Sequence, residues 1–153
     1  MPLNREFIGR EYLSSESYEV SRELIRRFAE AIGDSHPAYT DVEAAKALGY
    51  PDVIAPPTFL TVLSYRFATE GPIVDPALGL DYALVVHGEQ RFVHHRPVRA
   101  GDVLTVTSSV VDIRDAGRNE LMTTKATVTA NGEPLADVYS TLVSRGTAAG
   151  RSA

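Results

Sequence analysis

The stretch Gly33-Asp34-Ser35-His36-Pro37-Ala38-Tyr39-Thr40-Asp41 puts a carboxylate, an imidazole and a phenol within nine residues. A carboxylate near an imidazole is a ready pair for proton transfer around neutrality, one group giving the proton that the other takes. Asp34 and His36 are therefore the first candidates for general acid and base. A second set is His87-Gly88-Glu89-Gln90 with His94 and His95 beyond it. In an unbroken strand His87 and His95 face one side and His94 the other. No neighbouring cluster completes the roughly three protein ligands of a catalytic zinc site, so no metal is expected. A third candidate is Ala55-Pro56-Pro57-Thr58-Phe59, which opens an apolar helical pattern. A helix N-terminus offers unpaired N–H groups and a positive dipole end to a polarised carbonyl. Proline has no N–H, so Thr58 and Phe59 would have to donate. Ser64 has no G-x-S-x-G context for a nucleophile, and no glycine loop cradles phosphate.

The elements that must hold these residues fall into two halves. Residues 18–32 place Val20, Leu24, Ile25, Phe28 and Ile32 on one helical face, with Ser21 as N-cap and Gly33 as terminator. A shorter helix runs through 41–49, capped by Asp41 and closed by Gly49. Pro57 suits a first helical turn, and Phe59, Val62, Leu63 and Phe67 make the following segment apolar nearly all round, as in a buried helix. Gly71-Pro72 ends it. The C-terminal half alternates instead. Residues 84–98, 103–113, 120–130 and 135–145 read as four strands rich in Val, Thr and Tyr. Asn131-Gly132 is a hairpin signal because both residues tolerate positive φ, and residues 99–102 and 115–119 supply the other turns. Helices followed by consecutive strands define an α+β layer fold, with a buried helix against an antiparallel sheet. One domain over 1–146 and a flexible tail over 147–153 are expected.

With 153 residues the chain has the length of one domain. Its 44% hydrophobic and 23% charged residues are ordinary globular values. A net charge of −5 gives no electrostatic footprint for nucleic acid or an anionic membrane. There are no cysteines, which excludes disulfides and thiolate chemistry. The charged N-terminus lacks a signal-peptide core, and no apolar run is long enough to span a bilayer, so a cytoplasmic location is expected. A single sheet around one helix leaves an edge and a face that dimerisation commonly covers.

The sequence G-D-S-H-P-A-Y-T-D, then A-P-P-T-F, then H-G-E-Q-R-F and R-P-V-R-A-G-D-V-L, resembles the MaoC-like hydratase/dehydratase family over residues 5–145. Within it the likeness is to the N-terminal-type, FAS1-like dehydratase domains of actinobacteria. The resemblance implies a hot-dog fold, with a long central helix over 58–70 wrapped by an antiparallel sheet and paired with a second hot dog. It also implies a coenzyme A or acyl carrier protein thioester as ligand, and no cofactor.

Active members of that family carry G-D-x-N-P-x-H. Laid on this chain, the aspartate falls on Asp34 and the proline on Pro37, while the asparagine becomes His36 and the histidine becomes Tyr39. A tyrosine, with an unperturbed pKa of about 10, is a poor base near neutrality. His36 lies two residues from Asp34, where the family's partner lies five away. Tyrosine at this position resembles the HadA-type, non-catalytic halves of heterodimeric (3R)-hydroxyacyl-ACP dehydratases of fatty-acid metabolism, which shape the acyl channel while a partner supplies the Asp/His pair. The resemblance thus places Tyr39, Pro57, Thr58, Phe59, His87 and Gln90 at a substrate cleft. Three readings stand open: a partner-dependent dehydratase subunit, a self-sufficient homodimer using Asp34 and His36, and an acyl-thioester binding protein without turnover.

Overall fold

The computed structural model describes residues 1–149. Its elements are β1 (Glu11–Leu13), β2 (Tyr18–Glu19), α1 (Arg22–Ile32), α2 (Val42–Ala47), α3 (Thr61–Arg66), β3 (Val85–His94), β4 (Val103–Ala116), β5 (Asn119–Ala130) and β6 (Glu133–Ser144). The strands form one antiparallel sheet in the order β1-β4-β5-β6-β3, with β2 also on β4. Among the described residues no helix is long and apolar enough to cross a membrane.

Local chemistry sets the helix ends. The Ser21 hydroxyl accepts from the Leu24 N–H at 3.1 Å, and Gly33 stops α1 with a left-handed φ of 72°. The expected helical pattern began four residues earlier than the helix does. Tyr18 and Glu19 pair instead with Leu104 and Val103. Ile25 and Ala29 are buried, whereas Ile32, expected on the same face, is 49% exposed at the helix end. Asp41 caps α2 by accepting from the Glu43 and Ala44 N–H groups. Asn131 and Gly132 take φ of 52° and 83°, the conformation that turns β5 directly into β6.

The central helix is shorter than the span of 58–70 implied by the resemblance. Thr61–Arg66 is α-helical, and the approach to it is a run of tight i→i+3 turns: Phe59 N–H to Pro56, Thr61 to Thr58, Val62 to Phe59. At the other end the Phe67 N–H closes the helix on the Leu63 carbonyl at 3.0 Å, and the Glu70 N–H returns only to the Phe67 carbonyl. The segment is nonetheless buried as expected, with Phe59, Leu60 and Leu63 all below 5% exposure. Each such side chain contributes about 1.5–3 kcal/mol through burial.

Two apolar clusters lie along the concave face of the sheet. One joins α1 and α3 to Leu104, Val106, Val128 and Val138. The other joins Leu3, Phe7 and Leu78 to Val110, Ile113 and Met122. Beyond residue 146, Thr147 is buried and donates to Glu120 Oε2 at 2.7 Å. The Ala148 N–H reaches the Arg118 carbonyl at 3.2 Å. The fixed body therefore runs past the expected boundary, held by hydrogen bonds that composition does not reveal; residues 150–153 of the expected tail lie outside the described residues. The Gly101-Asp102 turn also does more than reverse the chain. Buried Asp102 accepts two bonds from Arg96, at 2.8 and 2.9 Å, and one from the Arg99 N–H at 2.9 Å.

Candidate functional site

The loop after α1 closes on itself. Gly33 ends the helix, the Asp34 N–H returns to the Ala29 carbonyl at 3.0 Å, and Pro37 starts a single 3-10 turn over Pro37–Tyr39. The His36 Nδ1 accepts from the Ala38 N–H at 3.2 Å, so this ring nitrogen holds a lone pair and is engaged by backbone. Asp34 Oδ1 accepts from the His36 main-chain N–H at 3.2 Å, not from its ring. Among the described residues no ion pair joins the Asp34 carboxylate to the His36 imidazole.

Tyr39 lies in the main core. Burial raises its pKa, and the charge and acceptor oxygen of Asp34 raise it further. The phenol is thus held protonated, with burial the larger cause. The His36 and Tyr39 rings stand 5.6 Å apart at 50°. Asp34, Ser35 and Thr40 border a hollow of about 270 Å³. The structure brings Asp34, His36 and Tyr39 together, but the acid faces the phenol and the imidazole caps a turn.

The Ala55–Phe59 segment departs from the expected oxyanion arrangement. The Phe59 N–H is bonded to the Pro56 carbonyl at 2.9 Å and so is not open to a ligand. Its ring packs edge-on against Phe28 at 5.4 Å in the core. Thr58 is exposed, and its carbonyl accepts from the Thr61 hydroxyl at 2.8 Å. The Pro57 carbonyl accepts from His94 Nε2 at 2.8 Å. A carbonyl only accepts, so His94 carries its proton on Nε2.

His87 and Gln90 lie elsewhere, on a cavity of about 580 Å³ between α3 and the concave face of the sheet. Leu60, Leu63, Phe67, Val106, Val138 and Leu142 give it a mainly apolar wall. The unbroken alternation expected for the histidines does not hold. A β-bulge between His87 and Glu89 shifts the register, so His87 and Gln90 share the concave face and bond at 3.1 Å despite their odd spacing. The same shift puts His94 on that face, stacked with Phe92. His95 turns to the other side, 3.7 Å from Asp137. Gly88 makes the bulge possible: a Cβ there would stand 3.1 Å from Val143 Cγ2 and 3.3 Å from the Thr141 carbonyl.

Sequence reasoning missed Ser140 and Thr124. Ser140 Oγ donates to Gln90 Oε1 at 2.8 Å, and both residues line the cavity. The only signal available was a hydroxyl residue breaking the apolar alternation of β5 and β6, and Thr and Ser are common enough in strands that it singles nothing out.

Residues 6–138 match the family described as FAS1-like, dehydratase domain region. A UPF0336 protein of Saccharopolyspora erythraea is 55% identical over 97% of this chain and 95% of its own. UPF0336 protein Franean1_6066 of Parafrankia sp. is 56% identical over 97% and 98% respectively. Among solved structures, the C-terminally truncated HadBC (3R-hydroxyacyl-ACP dehydratase) complex of Mycobacterium tuberculosis matches with a TM-score of 0.78 and 32% identity, over 90% of this chain and 96% of that one. A MaoC-like dehydratase matches with a TM-score of 0.81 and 31% identity, over 91% of this chain and 42% of that longer one. The fold is that of a MaoC-like hot-dog domain. The chain belongs to the FAS1-like dehydratase family.

Proposed function

We propose that this chain is the substrate-binding subunit of a (3R)-hydroxyacyl-thioester dehydratase, with the proton-transferring Asp/His pair supplied by a second hot-dog chain. The reaction is the reversible loss of water: a base takes the C2 proton, its bonding electrons form the C2–C3 double bond, and the C3 hydroxyl leaves with a proton as water. The observation that carries the proposal is the loop at Asp34. The residue five positions on is Tyr39, a phenol kept protonated by burial and by Asp34, while His36 Nδ1 is held by the Ala38 N–H. Neither is placed to work with Asp34 as a base. The similar HadBC structure is described as a complex, which supports a paired assembly here. The apolar cavity suits an acyl chain, and the carrier is coenzyme A or acyl carrier protein.

The test is hydration of a short enoyl-CoA by the chain alone and after co-purification with a hot-dog subunit that has an intact D-x-x-x-x-H. Turnover is expected only in the complex, and should be lost when the partner's histidine is replaced. Robust turnover by the chain alone, abolished by His36→Ala, would establish the self-sufficient homodimer instead. Thioester binding without turnover in any complex would leave an acyl-thioester binding protein.

A further inference from the structure

Cα register aligns Thr124 of β5, Ser140 of β6 and Gln90 of β3 in one row across the sheet. The row on one side carries Ala126, Val138 and Phe92; the row on the other carries Met122 and Leu142 beside His87. A polar row in an apolar cavity floor keeps hydrogen-bonding capacity, beyond the bonds its members make to one another, that a plain hydrocarbon cannot use.

The hydrogen bonds of this row run in one direction. The Tyr139 carbonyl can only accept, so Gln90 presents its NH₂ there, at 3.0 Å, and turns Oε1 toward the cavity side. Ser140 Oγ donates to that oxygen at 2.8 Å, and His87 Nε2 meets it at 3.1 Å. The opposite imidazole tautomer would set lone pair against lone pair, so neutral His87 carries its proton on Nε2 and a lone pair on Nδ1. Ser140 has already given its one proton. Thr124 Oγ1 points its proton at the Ser140 carbonyl, 3.5 Å away. Apart from the second N–H of Gln90, what these groups still offer a ligand is acceptors, the lone pair on His87 Nδ1 among them. Two other histidines differ: His36 has its Nδ1 occupied by backbone, and His95 lies on the far side with Asp137.

We infer that His87, Gln90 and Ser140 form a hydroxyl-reading subsite, in which His87 Nδ1 accepts a hydrogen bond from a hydroxyl on the acyl chain and disfavours a carbonyl at the same point. The inference rests on the acyl-thioester reading above and gives that cavity a preference, hydroxyacyl over oxoacyl. His87 touches the ligand. Gln90 is a positioning residue, fixed by Tyr139 and in turn fixing the imidazole tautomer. The Gly88 bulge holds the two on one face.

Isothermal titration of the full chain with 3-hydroxyoctanoyl-, octanoyl- and 3-oxooctanoyl-CoA tests it. The hydroxy ligand is expected to bind about tenfold tighter than the saturated one, as one added hydrogen bond to a fixed acceptor gives, with the oxo ligand weakest. His87→Phe and Gln90→Leu should each bring the hydroxy and oxo ligands within about twofold of each other. Equal binding of all three by the unmodified chain overturns the subsite. A hydroxy-over-oxo preference that survives Gln90→Leu overturns the fixed tautomer. If none of the three binds, the acyl-thioester reading has failed first, an outcome distinct from binding without preference.

Discussion

Two histidine-containing regions of this chain look alike as sequence and behave differently as structure. In the loop after α1, His36 sits near an acid and a phenol, and every bond it makes is local. Its Nδ1 holds the Ala38 N–H, its own N–H is held by Asp34, and Asp34 in turn faces Tyr39. On β3, His87 is oriented by Gln90, which is oriented by residues of β6 that lie about fifty positions away. The first arrangement makes a stable turn with no open valence on the engaged nitrogen. The second leaves a ring nitrogen free beside a large apolar cavity. The lone pair separates the two: His36 spends its lone pair on the Ala38 N–H, whereas that of neutral His87 stays open on Nδ1.

The change expected to disturb the contrast most is Gly88→Val. Its side chain would enter the space of Val143 and Thr141, costing about 1–3 kcal/mol as overpacking. Losing the bulge would also turn His87 off the concave face. Urea unfolding should show the lower midpoint, and the hydroxy-over-oxo preference should vanish with it. Next in size is His36→Ala, which removes only the acceptor that caps one turn. It should cost about 1 kcal/mol or less in stability and leave turnover of the complex proposed above within about twofold. A large fall in kcat there, with stability intact, would move the chemistry back to the loop.

The Asp34–Tyr39 contact is tested by pH. A phenol whose folded pKa is raised contributes stability that is complete below the unfolded value of about 10. That stability is lost as pH rises through the higher folded value. Ultraviolet difference titration of the protein against its Tyr39→Phe variant should place this tyrosine above the ordinary range. Asp34→Asn should lower it part of the way, since burial, the larger cause, remains. The smallest effect is expected at His95→Ala. This neighbour of the β3 histidines lies on the other face, with only a loose pairing to Asp137 at 3.7 Å. A change of about 0.5 kcal/mol or less and unaltered thioester binding should follow, showing that facing, not proximity in sequence, separates the histidines.

Much of the fold could be read before any coordinates. The four long strands, the Asn131-Gly132 turn, the Ser21 and Asp41 caps and the Gly33 terminator depend on the chemistry of adjacent residues and are all present, although β3 ends at His94, four residues before the expected 98, and β4 runs on to Ala116. The central helix falls short of 58–70 because the chain bonds i→i+3 up to Leu63 and turns back at Glu70 onto Phe67, geometry that an apolar pattern does not encode. The site was legible only in part. His87 and Gln90 are named by their motif and do meet at the cavity. Ser140 and Thr124 join them through strand register alone, which no local pattern encodes.

By itself the sequence determined the class of fold, the family, and the presence of a tyrosine, a weak base near neutrality, five residues after Asp34. These rest on residue identity and short spacing, which need no third dimension. Tertiary structure decided which face each histidine takes, because one bulge at Gly88 reverses the parity of everything before it. It also decided which way each hydrogen bond runs, because the proton on His87 is assigned by a chain of acceptors ending at the Tyr139 carbonyl on another strand.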